Sequence, residues 1–123
     1  GAFLCEYEIF KNMYQLEARS AARSGQAVYI GLLTLSGVKE GPLETKLLGA
    51  AMDRLEEAVQ GSLRRGDVVS RFSATQYVVM LPTLTFENGQ MVLERIAKRF
   101  ASLYRNPAVR LHTALQPLDP IIP

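Results

Sequence analysis

The chemistry open to this chain is decided mostly by one stretch, RRGDVVSRFSATQYVVMLP, running from Arg64 to Pro82. Two strand-like runs, VVSRF and QYVVML, flank Ser73-Ala74-Thr75, and this pattern predicts a β-hairpin. A hairpin tip can gather side chains onto a ligand, yet this tip is small and neutral, with no acid and no glycine. Elsewhere the material is sparse. The chain has no Walker A, no G-x-G-x-x-G and no Cys/His group of zinc spacing. Serines, acids and one histidine exist, but no spacing positions them as a nucleophilic triad. His112, between the apolar Leu111 and Ala114, reads as a structural residue of a late strand. Cys5 stands near the start of a helical pattern, where a dipole could lower a thiol's pKa; with no partner beside it, it reads as a packing residue. Glu56-Glu57 and Arg64-Arg65 read as helix-surface charges, and Glu6, Glu8, Lys11, Glu17 and Arg19 as the solvated face of a first helix.

Composition narrows the function classes. A chain of 123 residues is expected to form a single domain, residues 1–123, with one real core. Apolar and aromatic residues make up 48% and charged residues 21%, the balance of a soluble domain. The net charge is +2, and the cations are spread over several segments, so direct nucleic-acid contact is not expected. One cysteine excludes an internal disulfide and fits a reducing cytoplasm. No apolar run approaches the ~20 residues of a membrane helix, so no membrane partner is expected. The chain opens on GAF and closes on PLDPIIP, and is expected to be a piece of a longer, multidomain protein.

The elements that must position the hairpin can be read from periodicity. Tyr7, Phe10, Tyr14, Ala18 and Ala21 mark one face of a helix spanning Cys5 to Ser24, with Gly25 as its stop. QAVYIGLLTLSG is a buried strand, and GVKEGP a loop. Pro42 can open a second helix, whose inner face is Leu47, Leu48, Ala51, Leu55, Val59 and Leu63. In the second hairpin strand Tyr77, Val79 and Leu81 alternate with the equally apolar Val78 and Met80, as in a central strand covered on both faces. A third helix is predicted from about Phe86 to Tyr104, with Val92, Ile96, Phe100 and Leu103 inward, ending at Asn106-Pro107. Val109, Leu111 and Thr113 form a last strand, and a loose proline-rich tail follows. The order is α, then β-α-β-β-α-β. The predicted fold class is α+β: a four-stranded antiparallel, ferredoxin-like (split β-α-β) sheet with two helices on one face and an added N-terminal helix.

The same residues carry a family resemblance. RRGDVVSRFSATQYVVMLP resembles the core of a GGDEF domain, the bacterial diguanylate cyclase module. That family reads Arg-x-x-Asp, a few residues, Arg-Tyr-Gly-Gly-Asp-Glu-Phe, then an apolar strand ending Leu-Pro. Arg64-Arg65-Gly66-Asp67 matches the first part, Arg71-Phe72 matches Arg-Tyr, and Val78-Val79-Met80-Leu81-Pro82 matches the strand. Ser73, Ala74, Thr75, Gln76 and Tyr77 occupy the signature itself. YIGLLTLSGVK, Tyr29 to Lys39, resembles the family's first strand, which ends Asp-x-Asp-x-Phe-Lys, and VLERIAKRF resembles the helix after the signature.

What the resemblance implies turns on the departures. Cyclases of this family hold two magnesium ions on acids of the first strand and the signature turn, and such hard cations want carboxylate oxygen. Thr34 and Ser36 stand where the first-strand acids would be, and Thr75 and Gln76 replace the signature acids. Thr34, Ser36 and Thr75 are therefore read as lost metal positions. Ser73 and Ala74 carry a Cβ where glycines let the backbone approach phosphate. The loop GVKEGPLETK is shorter than the family's base-contacting segment and lacks its Asn, Asp and His. Metal-assisted phosphoryl transfer needs that charge neutralisation, so no enzyme activity and no cofactor are expected.

One element survives in letters. In many GGDEF domains Arg-x-x-Asp binds the product, cyclic di-GMP. Here Arg64 would use its planar fork on guanine and phosphate, Asp67 would accept from the guanine edge, and Arg71 could help with phosphate. The plainer alternative is that Arg64 complements a helix C-terminus and Asp67 bonds a turn's backbone. The expectation is thus a non-catalytic regulatory or protein-interaction domain of a bacterial signalling or transcription-regulatory protein, with a cyclic di-GMP receptor as the alternative. The expected partner is another domain of the same protein, a separate protein, or a second copy meeting Phe3, Leu4 and Tyr7.

Overall fold

The computed structural model describes residues 1–82 and 85–119. The elements are β1 (Phe3–Cys5), α1 (Tyr7–Ser24), β2 (Val28–Gly37), α2 (Thr45–Ser62), β3 (Val68–Ser73), β4 (Gln76–Pro82), α3 (Phe86–Leu103) and β5 (Val109–Pro117). They form one sheet in the order β1-β3-β4-β2-β5. The antiparallel four-stranded plan is present, with β4 at the centre, as its two-sided apolar pattern requires.

A fifth strand is added to it. Phe3–Cys5 does not begin the first helix but pairs parallel with β3, Phe3 opposite Val68 and Cys5 opposite Ser70. The helical periodicity starts only at Tyr7, so three preceding apolar residues are free to extend along the β3 edge. Burial pushes the Cys5 thiol pKa up, opposite to what a helix dipole would do.

The sheet separates two cores. On one face, Met52, Leu55 and Val59 of α2 and Leu93, Ile96 and Phe100 of α3 meet Leu33, Leu35, Val69, Val79 and Leu81. On the other, Phe10 and Ala18 of α1 meet Val28, Ile30, Val68, Val78 and Met80. The β4 residues divide between the two by simple alternation. Gly25 ends α1 at φ 72°, its N–H donating to the Ala21 carbonyl. Thr85 caps α3 by accepting from the Asn88 N–H. Gly31 of β2 permits close approach of α3, since a Cβ there would lie 2.8 Å from Val79 Cγ2 and 3.1 Å from Leu93 Cδ2.

Three local expectations change. Tyr7, the first residue of α1, and Leu103, the last of α3, are exposed rather than inward. The second helix starts at Thr45 rather than at Pro42, with Glu44 as its N-cap. Where the tail is described it is held: Leu118 is buried against α1 and its N–H donates to the Val28 carbonyl at 2.7 Å, while residues 120–123 lie outside the described residues.

Candidate functional site at the hairpin tip

The hairpin is tight and irregular. Ser73 pairs with Gln76 across Ala74-Thr75, and Arg71 pairs with Tyr77, so Phe72 is an extra residue in β3. Such a bulge re-aims the side chains around it. Phe72 is exposed and meets Tyr7 edge-on at 5.0 Å, tying the tip to the start of α1.

The bulge sets Ser73 on the α1 side of the sheet, where strand alternation already places Gln76 and its cross-strand partner Thr34. These residues close a neutral network. Gln76 Nε2 donates to Thr34 Oγ1 at 3.1 Å, while Gln76 Oε1 accepts from Ser73 Oγ at 2.9 Å. Ser73 Oγ also accepts from the Thr75 N–H at 3.3 Å and lies 3.4 Å from Thr75 Oγ1. The Thr75 carbonyl accepts from the Leu35 N–H at 2.9 Å, which ties the turn to β2. One strand over, Ser36 Oγ sits 3.0 Å from His112 Nε2, so the lone histidine takes part in a cross-strand hydrogen bond at the same end of the sheet. The tertiary structure thus brings together Thr34, Ser36, Ser73, Thr75 and Gln76, and adds His112. Every member is a neutral donor or acceptor or the imidazole. Such a set holds itself in place but offers no carboxylate to a hard cation.

The Arg-x-x-Asp residues are arranged differently. Asp67 is 8% exposed, and its Oδ2 accepts from the Arg64 N–H at 2.8 Å. Its own N–H donates to the Arg64 carbonyl at 3.1 Å, and its carbonyl accepts from the Phe3 N–H at 2.9 Å. Asp67 therefore fastens the α2–β3 turn and the start of β1. The Arg64 side chain is exposed. Arg71 stands four residues along β3, roughly 13 Å from Asp67 at strand rise. Its guanidinium donates to the Ser73 and Ala74 carbonyls, both at 3.4 Å, and so braces the hairpin tip.

Tyr77, the last residue of the signature segment, points into the opposite core rather than into the network. Burial pushes its phenol pKa up, the Glu56 carboxylate adds to this, Arg71 acts the other way, and Asp53 adds a little more. The phenol then ionises later in the folded than in the unfolded chain, where its ordinary value is 10.0. The associated stability is complete below that value and is lost as pH rises through the folded pKa. Tyr77→Phe is expected to flatten the fall of the urea midpoint above about pH 10. An alkaline limb as steep as that of the parent would assign the loss to other groups.

No family model matches this chain, and no curated protein matches it by sequence. Solved structures do match in fold. A DGC protein from Thermotoga maritima superposes with TM-score 0.75 at 13% identity, covering 95% of this chain and 82% of that one. The diguanylate cyclase SiaD from Pseudomonas aeruginosa, solved with its activator SiaC, gives TM-score 0.73 at 15% identity over 89% of this chain and 45% of SiaD. The GGDEF domain of DgcB from Caulobacter crescentus, solved with c-di-GMP, gives TM-score 0.73 at 11% identity over 91% of this chain and 71% of that one. The fold is that of the GGDEF domains.

Proposed function

We propose that this chain is a non-catalytic regulatory domain on a GGDEF fold, acting through protein contact within a larger bacterial signalling or transcription-control protein of the cytoplasm. One observation carries the reading. The Gln76 side-chain amide spans Thr34 and Ser73, so at Thr34 and Gln76, where the family resemblance places acids, stand neutral groups already hydrogen-bonded to one another. Phosphoryl transfer depends on metal and cationic clamps at the developing charge. A network of hydroxyls and one amide supplies neither. No helix of the described residues is long and apolar enough to cross a membrane.

A second reading has one observation behind it. The DgcB GGDEF domain was solved with c-di-GMP, and here the Arg64 side chain is exposed in the Arg-x-x-Asp letters of the family resemblance. Against it, Asp67 is buried and its Oδ2 is committed to the Arg64 backbone.

Incubation of the domain with GTP and magnesium or manganese tests the first reading, and product formation at the background rate is expected. Any turnover above background that scales with protein concentration overturns it. Calorimetric titration with cyclic di-GMP separates the two: no heat is expected. Binding near micromolar, about −8 kcal/mol, that disappears in a folded Arg64→Ala, Asp67→Ala double variant would make the domain a second-messenger receptor.

A further inference from the structure

The face built by α2 and α3, on the far side of the sheet from the hairpin network, carries charge that neither the core nor the hairpin uses. Between Glu94 and Asp119 the chain holds Arg95, Lys98, Arg99, Arg105 and Arg110 and no acid. Arg95, Lys98, Arg99 and Ser102 recur at three- and four-residue spacing, which places them on one stripe of α3. All four are exposed, and they wall an open groove completed by Leu103 and by Glu57 of α2. Glu57 is already engaged, accepting from Arg54 Nη1 at 2.7 Å. Among the described residues no other ion pair forms, so the three cations of the stripe face the groove without a carboxylate partner. Like charges at this spacing repel and weaken a helix rather than support it.

Gly61 leaves room for one of these cations. It lies in the last turn of α2, where a Cβ would collide with the Arg99 guanidinium. Its φ is outside the left-handed region, so the backbone does not require glycine. Glycine in a helix is costly relative to alanine, and what it provides here is a seat for Arg99 beside the negative end of α2.

We propose that this groove docks an acidic segment of a protein, its carboxylates meeting Arg95, Lys98 and Arg99 and an apolar side chain resting on Leu103. A nucleic acid fits less well. A phosphate backbone follows an extended basic stripe, whereas Glu57 on the adjoining helix interrupts this one. The proposal concerns a surface apart from the hairpin and stands whatever that hairpin does with nucleotides.

The test is fluorescence anisotropy of the whole chain with a short labelled Glu/Leu peptide at low and at physiological salt. Binding that weakens with salt is expected. R95Q/K98Q/R99Q should lose about tenfold or more in affinity, as three exposed ion pairs would give. K11Q/R19Q/R23Q, which removes the same charge from α1, should stay within about twofold. Gly61→Ala should weaken binding while leaving the melting temperature equal or higher. The proposal is overturned by absence of binding, by equal losses in the two triple variants, or by an oligonucleotide of matched charge binding more tightly than the peptide. Unchanged affinity in folded Gly61→Ala would remove Arg99 from the site and count against it.

Discussion

A domain carrying Thr34→Asp, Ser36→Asp and Gln76→Glu together should unfold about 3 kcal/mol more easily without divalent cations, and should regain most of that loss with magnesium or manganese. Thr34 and Gln76 are direct cross-strand partners, and Ser36 lies two residues on, on the same face of β2. Two unit charges about 5 Å apart repel by roughly 3 kcal/mol at an effective dielectric of 20. All three positions are half-exposed, so screening reduces this to about 1 kcal/mol for each of the two close pairs, 34 with 76 and 34 with 36. Losing the Gln76 amide donor to Thr34 adds about 1 kcal/mol. A hard cation reverses the sign of the repulsion, because three converging carboxylates are what it prefers. At a hundredfold excess over its Kd it restores about 2.7 kcal/mol. Urea unfolding with magnesium and with a chelator measures both numbers, and the parent domain should be indifferent to the change. A triple variant equally indifferent would mean that these positions do not converge on a metal locus, and the functional reading would lose its basis. Turnover of GTP is not expected to return, since Ser73 and Ala74 still carry side chains at the tip.

Leu93→Ala should cost about 3–5 kcal/mol, the range of buried leucine truncations that leave a cavity. Leu93 is 1% exposed, and its methyls lie against the position where Gly31 has no side chain. The truncated site has no neighbour on that side able to fill it, which puts the cost at the upper part of the range. Gly31→Ala alone should cost about 1–3 kcal/mol by overpacking, since the added Cβ meets both Val79 Cγ2 and Leu93 Cδ2. In the double variant the contact with Leu93 disappears while that with Val79 stays. The two losses should therefore fall short of additivity by about 1 kcal/mol. A double-mutant cycle in urea reads this directly. Strict additivity would show that α3 does not pack onto β2 through this glycine.

Residue by residue, the chain shows what its order could and could not disclose. The two-sided apolar run at Tyr77–Leu81 marked β4 as the central strand, and it is central. Phe10, Ala18 and Ala21 marked the inner face of α1, and Gly25 its end. These are local signals, since side-chain periodicity and a left-handed cap depend on neighbours a few residues away. The strand Phe3–Cys5 was not legible in this way. Three residues carry no period, and what makes them a strand is the free edge of β3, more than sixty residues later. The same holds for Leu118, held by a backbone bond to Val28 that no local pattern announces.

The site divides along the same line. The sequence by itself determined the character of the hairpin tip: Ser73, Ala74, Thr75 and Gln76 are neutral wherever the fold puts them, and Thr34 and Ser36 have no charge to offer. It also determined the alternation that sends Tyr77 to one core and Gln76 to the opposite face. Only the tertiary structure decided that Gln76 meets Thr34 across forty-two residues of chain, that His112 reaches Ser36, that Arg71 braces the turn and that Gly61 makes room for Arg99. Those contacts depend on strand order, on a bulge at Phe72 and on the crossing of two helices. Each is fixed by which surfaces bury best together, a property of the whole chain that local periodicity does not carry.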